Sequence, residues 1–349
     1  MIEAVIKKDL GSFKLDVAFT AGDEILALLG GSGCGKSLTL RAIAGIITPD
    51  SGYIAVNGRV FFDSEHRINL PPQKRHVGLL FQNYALFPTM TVLQNIMTGV
   101  RTGTRAQRRA AAEEAAERFQ LQGLEDRLPS ELSGGQQQRA ALARIMVGRP
   151  ELLMLDEPFS ALDSHLRDRM EREVTAVLRD FGGTTLLVSH SRDEVFRMAD
   201  SIAVYNAGQI DAIGEKHELF RDPGTLTAAM LTGCKNFSAV SHLRHENGRT
   251  VFTADDWGME LSVRGEKTGD IAGLRRHYAE LADAPGENTY QMEVVSVLED
   301  PFEYVVFLRR PGFDGKPFEW AVTKKEYAAL PKGRLLLRFP DEALMLLEE

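Results

Sequence analysis

The chain has 349 residues, enough for about two domains and too many for a single disulfide-stapled core. Its 49 Asp+Glu outweigh its 41 Lys+Arg, giving a net charge of −8, which argues against a dedicated nucleic-acid binder with a basic binding face. Two cysteines, Cys34 and Cys234, cannot build a framework of bridges and fit a reducing compartment.

Charged Glu3, Lys7, Lys8 and Asp9 interrupt any apolar core at the start, so no signal peptide is expected. No apolar run reaches the ~20 residues that a bilayer crossing needs. Residues 24–29 (EILALL) are a short apolar run before a Gly-rich turn, and Leu38, Ala42, Ile43 and Ile46 behind it have helical spacing. Residues 77–81, 152–155, 184–189 and 202–205 read as further buried strands, while 82–150 reads as helical, with Arg and Glu around alanines at 105–118. Strands alternating with helices predict a sheet with a largely parallel core. Beyond about 232 the character changes. Short strands at 251–263, 290–297, 304–309, 320–323 and 334–339, punctuated by Gly and Pro, predict a small β-barrel or sandwich. The boundary is placed at 235/236, dividing the chain into 1–235 and 236–349.

Three motifs carry chemistry. Gly30-Gly31-Ser32-Gly33-Cys34-Gly35-Lys36-Ser37 follows a predicted strand and opens a predicted helix, the context of a phosphate-binding P-loop. Its glycines let backbone N–H groups converge on one point at a positive helix end, Lys36 adds a fixed charge for the β- and γ-phosphates, and the Ser37 hydroxyl suits Mg²⁺. Cys34 is read as a small filler within the loop. Asp156 and Glu157 close an apolar strand where α/β sheets place ligands, which suits Asp156 to the Mg²⁺ shell and Glu157 to orienting or deprotonating water. Ser133-Gly134-Gly135-Gln136 has the spacing of a capping box, and its glycines leave N–H groups uncovered at a second helix start. One nucleotide does not need two phosphate cradles in one chain. Two copies arranged head to tail do, each completing the other's site.

These motifs, with Leu132 completing an LSGGQ sequence, resemble those of the ATP-hydrolysing subunits of ABC transporters, in the same order and over roughly residues 1–230. The resemblance implies an α/β P-loop ATPase domain, with a mixed sheet core and a helical subdomain at about 84–150, followed by a small all-β, OB-like or barrel domain. It implies ATP and Mg²⁺ as cofactors. Gln82 then matches a glutamine that touches Mg²⁺ and water, Ser160-Ala161-Leu162-Asp163 the family's D-loop, and His190 a histidine that contacts the γ-phosphate. Phe13 matches an aromatic that stacks on adenine, and Tyr84-Ala85-Leu86-Phe87-Pro88 the surface that meets a permease. The sequence departs from the family at Gly31, where Pro is common, at Leu38, which offers its backbone N–H but no hydroxyl, and at Ser191, where an acid is usual. None of these removes Lys36, Ser37, Asp156, Glu157 or His190.

The β-rich extension is similar to the TOBE-like regulatory domain of importers for sugars, iron and oxyanions. With the short segment from Leu10 to the P-loop and Gly233-Cys234-Lys235-Asn236, the chain looks most like molybdate/tungstate importer ATPases, with sulfate and ferric-iron importers next. In that subfamily the extension can bind the oxyanion, and Arg275, Arg276 and His277 are candidates by charge. The resemblance further implies a homodimer at the cytoplasmic face of the membrane, joined to integral-membrane permease subunits and served by an extracytoplasmic solute-binding protein, with no nucleic acid as partner. A P-loop kinase would have no use for LSGGQ. A soluble ABC ATPase of DNA repair or translation would carry a long coiled-coil insertion or a second ATPase half.

Overall fold

The computed structural model describes residues 1–160, 164–331 and 333–349. Alternation builds the first sheet. β1 (Ile2–Asp9) buries Ile2, Ala4 and Ile6 and turns the intervening residues to solvent, and β2 (Lys14–Ala21) repeats the pattern with Leu15, Val17 and Phe19. β3 (Ile25–Gly30) is buried at every position, as a strand covered on both faces must be, and leads through the Gly-rich turn into α1 (Lys36–Ala44). Gly45, at φ 79°, ends that helix, so Ile46 lies beyond it and is half exposed rather than on its apolar face. β4 (Ser51–Val56), β5 (Arg59–Asp63) and β6 (Ile68–Asn69) complete an antiparallel sheet of order β2-β1-β4-β5-β6.

After α2 (Pro72–Arg75) and β7 (Val77–Leu80), the helices α3 (Val92–Gly99), α4 (Arg105–Arg118) and α5 (Gly134–Met146) form a helical layer. β8 (Leu152–Asp156), α6 (Ser164–Phe181), β9 (Thr185–Ser189), α7 (Arg192–Met198), β10 (Ser201–Asn206) and β11 (Gln209–Glu215) follow. The second sheet has the order β11-β10-β3-β9-β8-β7 and is parallel except for β11 at its edge. Residues of both sheets and of α1 share one core, including Ile6, Val17, Leu28, Leu40, Met154 and Val188.

This first unit is Met1–Lys216, and a second is His217–Glu349. The second unit contains α8 (Lys216–Arg221) from its second residue, and α9 (Leu226–Leu231), ahead of its strands. The strands are β12 (Asn236–Glu246), β13 (Arg249–Ala254), β14 (Met259–Arg264), β15 (Ile271–Leu274), β16 (Glu280–Leu281), β17 (Thr289–Glu299), β18 (Glu303–Arg309) and β19 (Phe318–Thr323), then, after α10 (Lys324–Ala328), β20 (Leu335–Arg338) and β21 (Met345–Leu347). They form antiparallel sheets of order β14-β13-β12-β15-β21 and β16-β20-β17-β18-β19 around a common core. Phe318 is central to it, edge-on to Trp257 at 5.5 Å and to Phe339 at 5.1 Å. The β-rich part thus opens at Asn236, but the unit opens earlier, because Ala229 and Cys234 pack with Met345 and Leu347. Burial pushes the Cys234 thiol up to about 11.

Candidate functional site

The parallel strands of the first unit finish at a common edge. Leu29 of β3 pairs with Ser189 of β9, Val188 with Asp156 of β8, and Leu155 with Leu80 of β7. The Gly-rich turn, His190, Glu157 and Gln82 therefore all leave the sheet at its carboxyl end, where open α/β sheets bind ligands.

The turn from Gly30 to Gly35 wraps the start of α1. Gly35, its N-cap, takes φ 108°, and a Cβ there would sit 2.7 Å from Leu15 Cδ1 and 3.1 Å from Phe13 Cζ, so only glycine fits. Lys36 is buried and its Nζ donates to Gly30 O at 2.8 Å and Gly31 O at 2.7 Å, with Cys34 Sγ at 3.5 Å. The ammonium is thereby held in the mouth of the loop by two of its carbonyls. A cavity of about 340 Å³ lies over the turn, lined by Leu10, Phe13, Ser32, Gly33, Cys34, Gly35, Lys36, Ser37, Leu38 and Glu157. Phe13 lines this cavity beside the loop, and Leu10 joins it because a tight turn, with Leu10 N–H donating to Phe13 O at 2.9 Å, brings the two together. Leu10 is not marked by any sequence motif. Thr39 does not make good the missing hydroxyl at Leu38: it is buried, and its Oγ1 donates to Gly35 O at 3.1 Å.

Ser37 Oγ donates to Asp156 Oδ1 at 2.7 Å, so the two oxygen ligands expected for Mg²⁺ already touch. Burial raises the Asp156 carboxyl above its usual range, opposed by the Ser37 hydrogen bond and the charge of Arg41. Among the described residues no group of three or more His, Cys, Asp or Glu gathers as a self-sufficient metal site. Glu157 takes φ 46°, unusual for a residue with a side chain, and its carbonyl accepts from the Ser160 hydroxyl at 2.9 Å. Its carboxylate faces His190, whose Nδ1 lies 3.4 Å from Glu157 Oε1. Gln82 is exposed two residues beyond β7. Ala161, Leu162 and Asp163 of the Ser160-Ala161-Leu162-Asp163 motif lie outside the described residues.

Ser133 is the N-cap of α5, accepting from Gln136 N at 3.4 Å while Gln136 Oε1 accepts from Ser133 N at 2.8 Å. Gly134 and Gly135 begin the helix behind this exposed cap. These residues do not line the cavity over the P-loop.

In the second unit the basic trio is already engaged. Arg275 donates to Thr232 O at 2.6 Å, to Thr232 Oγ1 at 3.0 Å and to Phe220 O. Arg276 Nη2 donates to Glu303 Oε1 at 2.7 Å, and His277 Nε2 lies 3.1 Å from Glu303 Oε2. Charge alone suggests an open anion cluster. The fold instead spends one guanidinium on carbonyls and sets a carboxylate against the other two groups, where it would repel a dianion.

A family model described as "ABC transporter" matches residues 15–160. The molybdenum import ATP-binding protein ModC of Paramagnetospirillum magneticum is 36% identical over 288 residues, covering 81% of this chain and 79% of that protein. The spermidine/putrescine import ATP-binding protein PotA of Oleidesulfovibrio alaskensis is 41% identical over 252 residues, covering 71% of this chain and 66% of that one. Among solved structures, a bacterial ABC transporter cassette in dimeric form is similar at 25% identity with a TM-score of 0.52, covering 62% of this chain and 99% of that chain.

Proposed function

The chain belongs to the ATP-binding import subunits of ABC transporters, and we propose from this that it hydrolyses ATP to drive uptake of a small anionic solute, molybdate or tungstate first, through a separate membrane permease. The observation that carries the ATPase reading is the convergence of Lys36, Ser37, Asp156, Glu157 and His190 on one sheet edge. The 36% identity to a molybdenum import ATPase over 81% of this chain supports the cargo. Sulfate, ferric iron or another solute is the alternative.

Phe13 and Leu10 receive the base, and the backbone of Gly31, Ser32, Gly33, Cys34, Gly35 and Leu38 cradles the phosphates. Ser37 and Asp156, with Gln82, offer oxygen ligands that suit Mg²⁺, which shares its shell with phosphate and water rather than requiring a cage of acids. When bound, Mg²⁺ supplies positive charge to the phosphate oxygens. Lys36 neutralises charge on the γ-phosphoryl group as it departs, Glu157 orients the attacking water and takes its proton, and His190 holds Glu157 and the phosphoryl oxygens in register. Ser133, Gly134, Gly135 and Gln136 of a second copy close the site with the helix start that they form. A homodimer docked on permease subunits at the cytoplasmic face, served by an extracytoplasmic binding protein, follows from this scheme. No described helix is long and apolar enough to cross a membrane, as suits a peripheral subunit. Residues 236–349 are assigned a regulatory rather than a catalytic part.

The test is Glu157→Gln. Turnover should fall by about 10²-fold or more while ATP still binds, and with MgATP a two-copy species should accumulate on size exclusion. Near-normal turnover would remove Glu157 as the catalytic carboxylate.

A further inference from the structure

The segment that follows Gln82 has an unusual backbone. Tyr84 and Ala85 are both left-handed, at φ 59° and 46°, although neither is glycine. Two successive residues in that region need outside support. It comes from α5: Arg144 Nη1 donates to Ala85 O at 2.7 Å, Nη2 donates to Tyr84 O at 3.1 Å, and the guanidinium lies over the Phe87 ring at 5.6 Å. The next stretch is pinned from α3, where fully buried Asn95 accepts from Phe87 N at 2.8 Å and donates to Phe87 O, Met90 O and Thr91 O at 3.2, 3.0 and 3.1 Å. Phe87 itself is 47% exposed. At the opposite end of α5 stands the Ser133 cap with its two glycines.

We propose that Arg144 is a positioning residue that fastens the segment after Gln82 to the helix presenting Ser133 and Gln136, so that closure at that helix start and movement of the surface around Phe87 are one coupled motion. The inference deepens the function proposed above and rests on it for the meaning of that motion. A guanidinium is suited to the task because its planar fork reaches two diverging carbonyls and stacks on an aromatic ring at once, which a lysine ammonium cannot do. Arg144 is partly buried, and that burial lowers its pKa from the ordinary guanidinium value.

The experiment compares the full-length chain with Arg144→Ala and Arg144→Lys. It measures steady-state ATP turnover, and amide hydrogen exchange of peptides covering 83–90, 133–140 and 30–44 with and without MgATP. In Arg144→Ala, exchange at 83–90 should speed by about tenfold without nucleotide, and the response of 83–90 to MgATP should disappear while 133–140 and 30–44 still respond. Turnover should lose about tenfold in kcat with KM kept within about twofold, because the P-loop is untouched. Arg144→Lys should recover less than half of either effect, and decides the matter if the alanine variant does not fold. Wild-type protection and MgATP response at 83–90 in the variants would overturn the proposal. So would faster exchange spread evenly over α3 and α5 with kcat falling only as thermal stability falls, since that assigns Arg144 to packing. If the unaltered chain hydrolyses no ATP, the function proposed above fails, while exchange at 83–90 without nucleotide still tests the clamp.

Discussion

Glu194 carries a charge that the fold holds at a disadvantage. It is 6% exposed on α7, beside the hydrogen-bonded run of Ser189 and Ser191 that leads from His190, and one carboxylate oxygen has no partner. Burial pushes its carboxyl up to about 7 from an ordinary 4.5, and like charge on Glu171 adds to this, while the Ser189 hydroxyl, Arg167 and Arg197 pull the other way. The folded chain therefore keeps a proton that the unfolded chain releases. This stabilisation is complete below pH 4.5 and is lost as pH rises towards 7, by at most about 3 kcal/mol. Glu194→Gln should accordingly melt above the parent at pH 8 and level with it near pH 4.5, measured by scanning fluorimetry across buffers. A melting difference that does not change with pH would refute the assignment. Lys36, Ser37, Asp156, Glu157 and His190 are legible in the sequence because each follows an apolar run that ends abruptly. Glu194, Arg144 and Leu10 are not, because nothing in the order of letters says that a charged side chain will be enclosed or that a leucine will face a cavity.

Helix α1 shows how one element depends on another remote in sequence. Its last carbonyls are closed by Arg75, which is fully buried and donates to Ala42 O at 2.8 Å, Ile43 O at 2.7 Å, Leu70 O at 2.8 Å and Asn69 Oδ1 at 2.9 Å. A Cβ at Gly45 would stand 2.6 Å from Arg75 Nε, so glycine both turns the chain and makes room. Burial lowers the guanidinium to about 10, which leaves it charged at neutral pH. Arg75→Ala strands several buried acceptors and should cost about 3 kcal/mol or more, read from the urea midpoint, with Arg75→Lys restoring little. A loss under about 0.5 kcal/mol would mean that water satisfies those carbonyls as well. Among elements, β3, β7, β8 and β9 are legible as short apolar runs. β1 and β2 are less so, because only alternate residues are apolar and Lys, Asp and Glu fill the other face. The end of α1 is misread at Ile46, where Gly45 outweighs the spacing.

On the scale of the molecule, the change of texture after about 232 lies close to the first strand at Asn236, while the second unit also claims α8, from His217, and α9. Composition reveals strands. It does not reveal that Ala229 and Cys234 pack against residues from the far end of the chain. This division leaves one thiol in each unit, Cys34 beside the phosphate loop and Cys234 buried with its pKa pushed up to about 11. The chain therefore carries a native-state thiol and a hidden one. A maleimide pulse read by intact mass should add one adduct to the native protein, at a rate that ATP slows, and a second adduct only when the His217–Glu349 unit opens. Followed through a denaturant series, the second adduct would time the opening of the His217–Glu349 unit, without any engineered label. A second adduct on the native protein as fast as the first, with no denaturant, would mean that Cys234 is not enclosed in the folded unit.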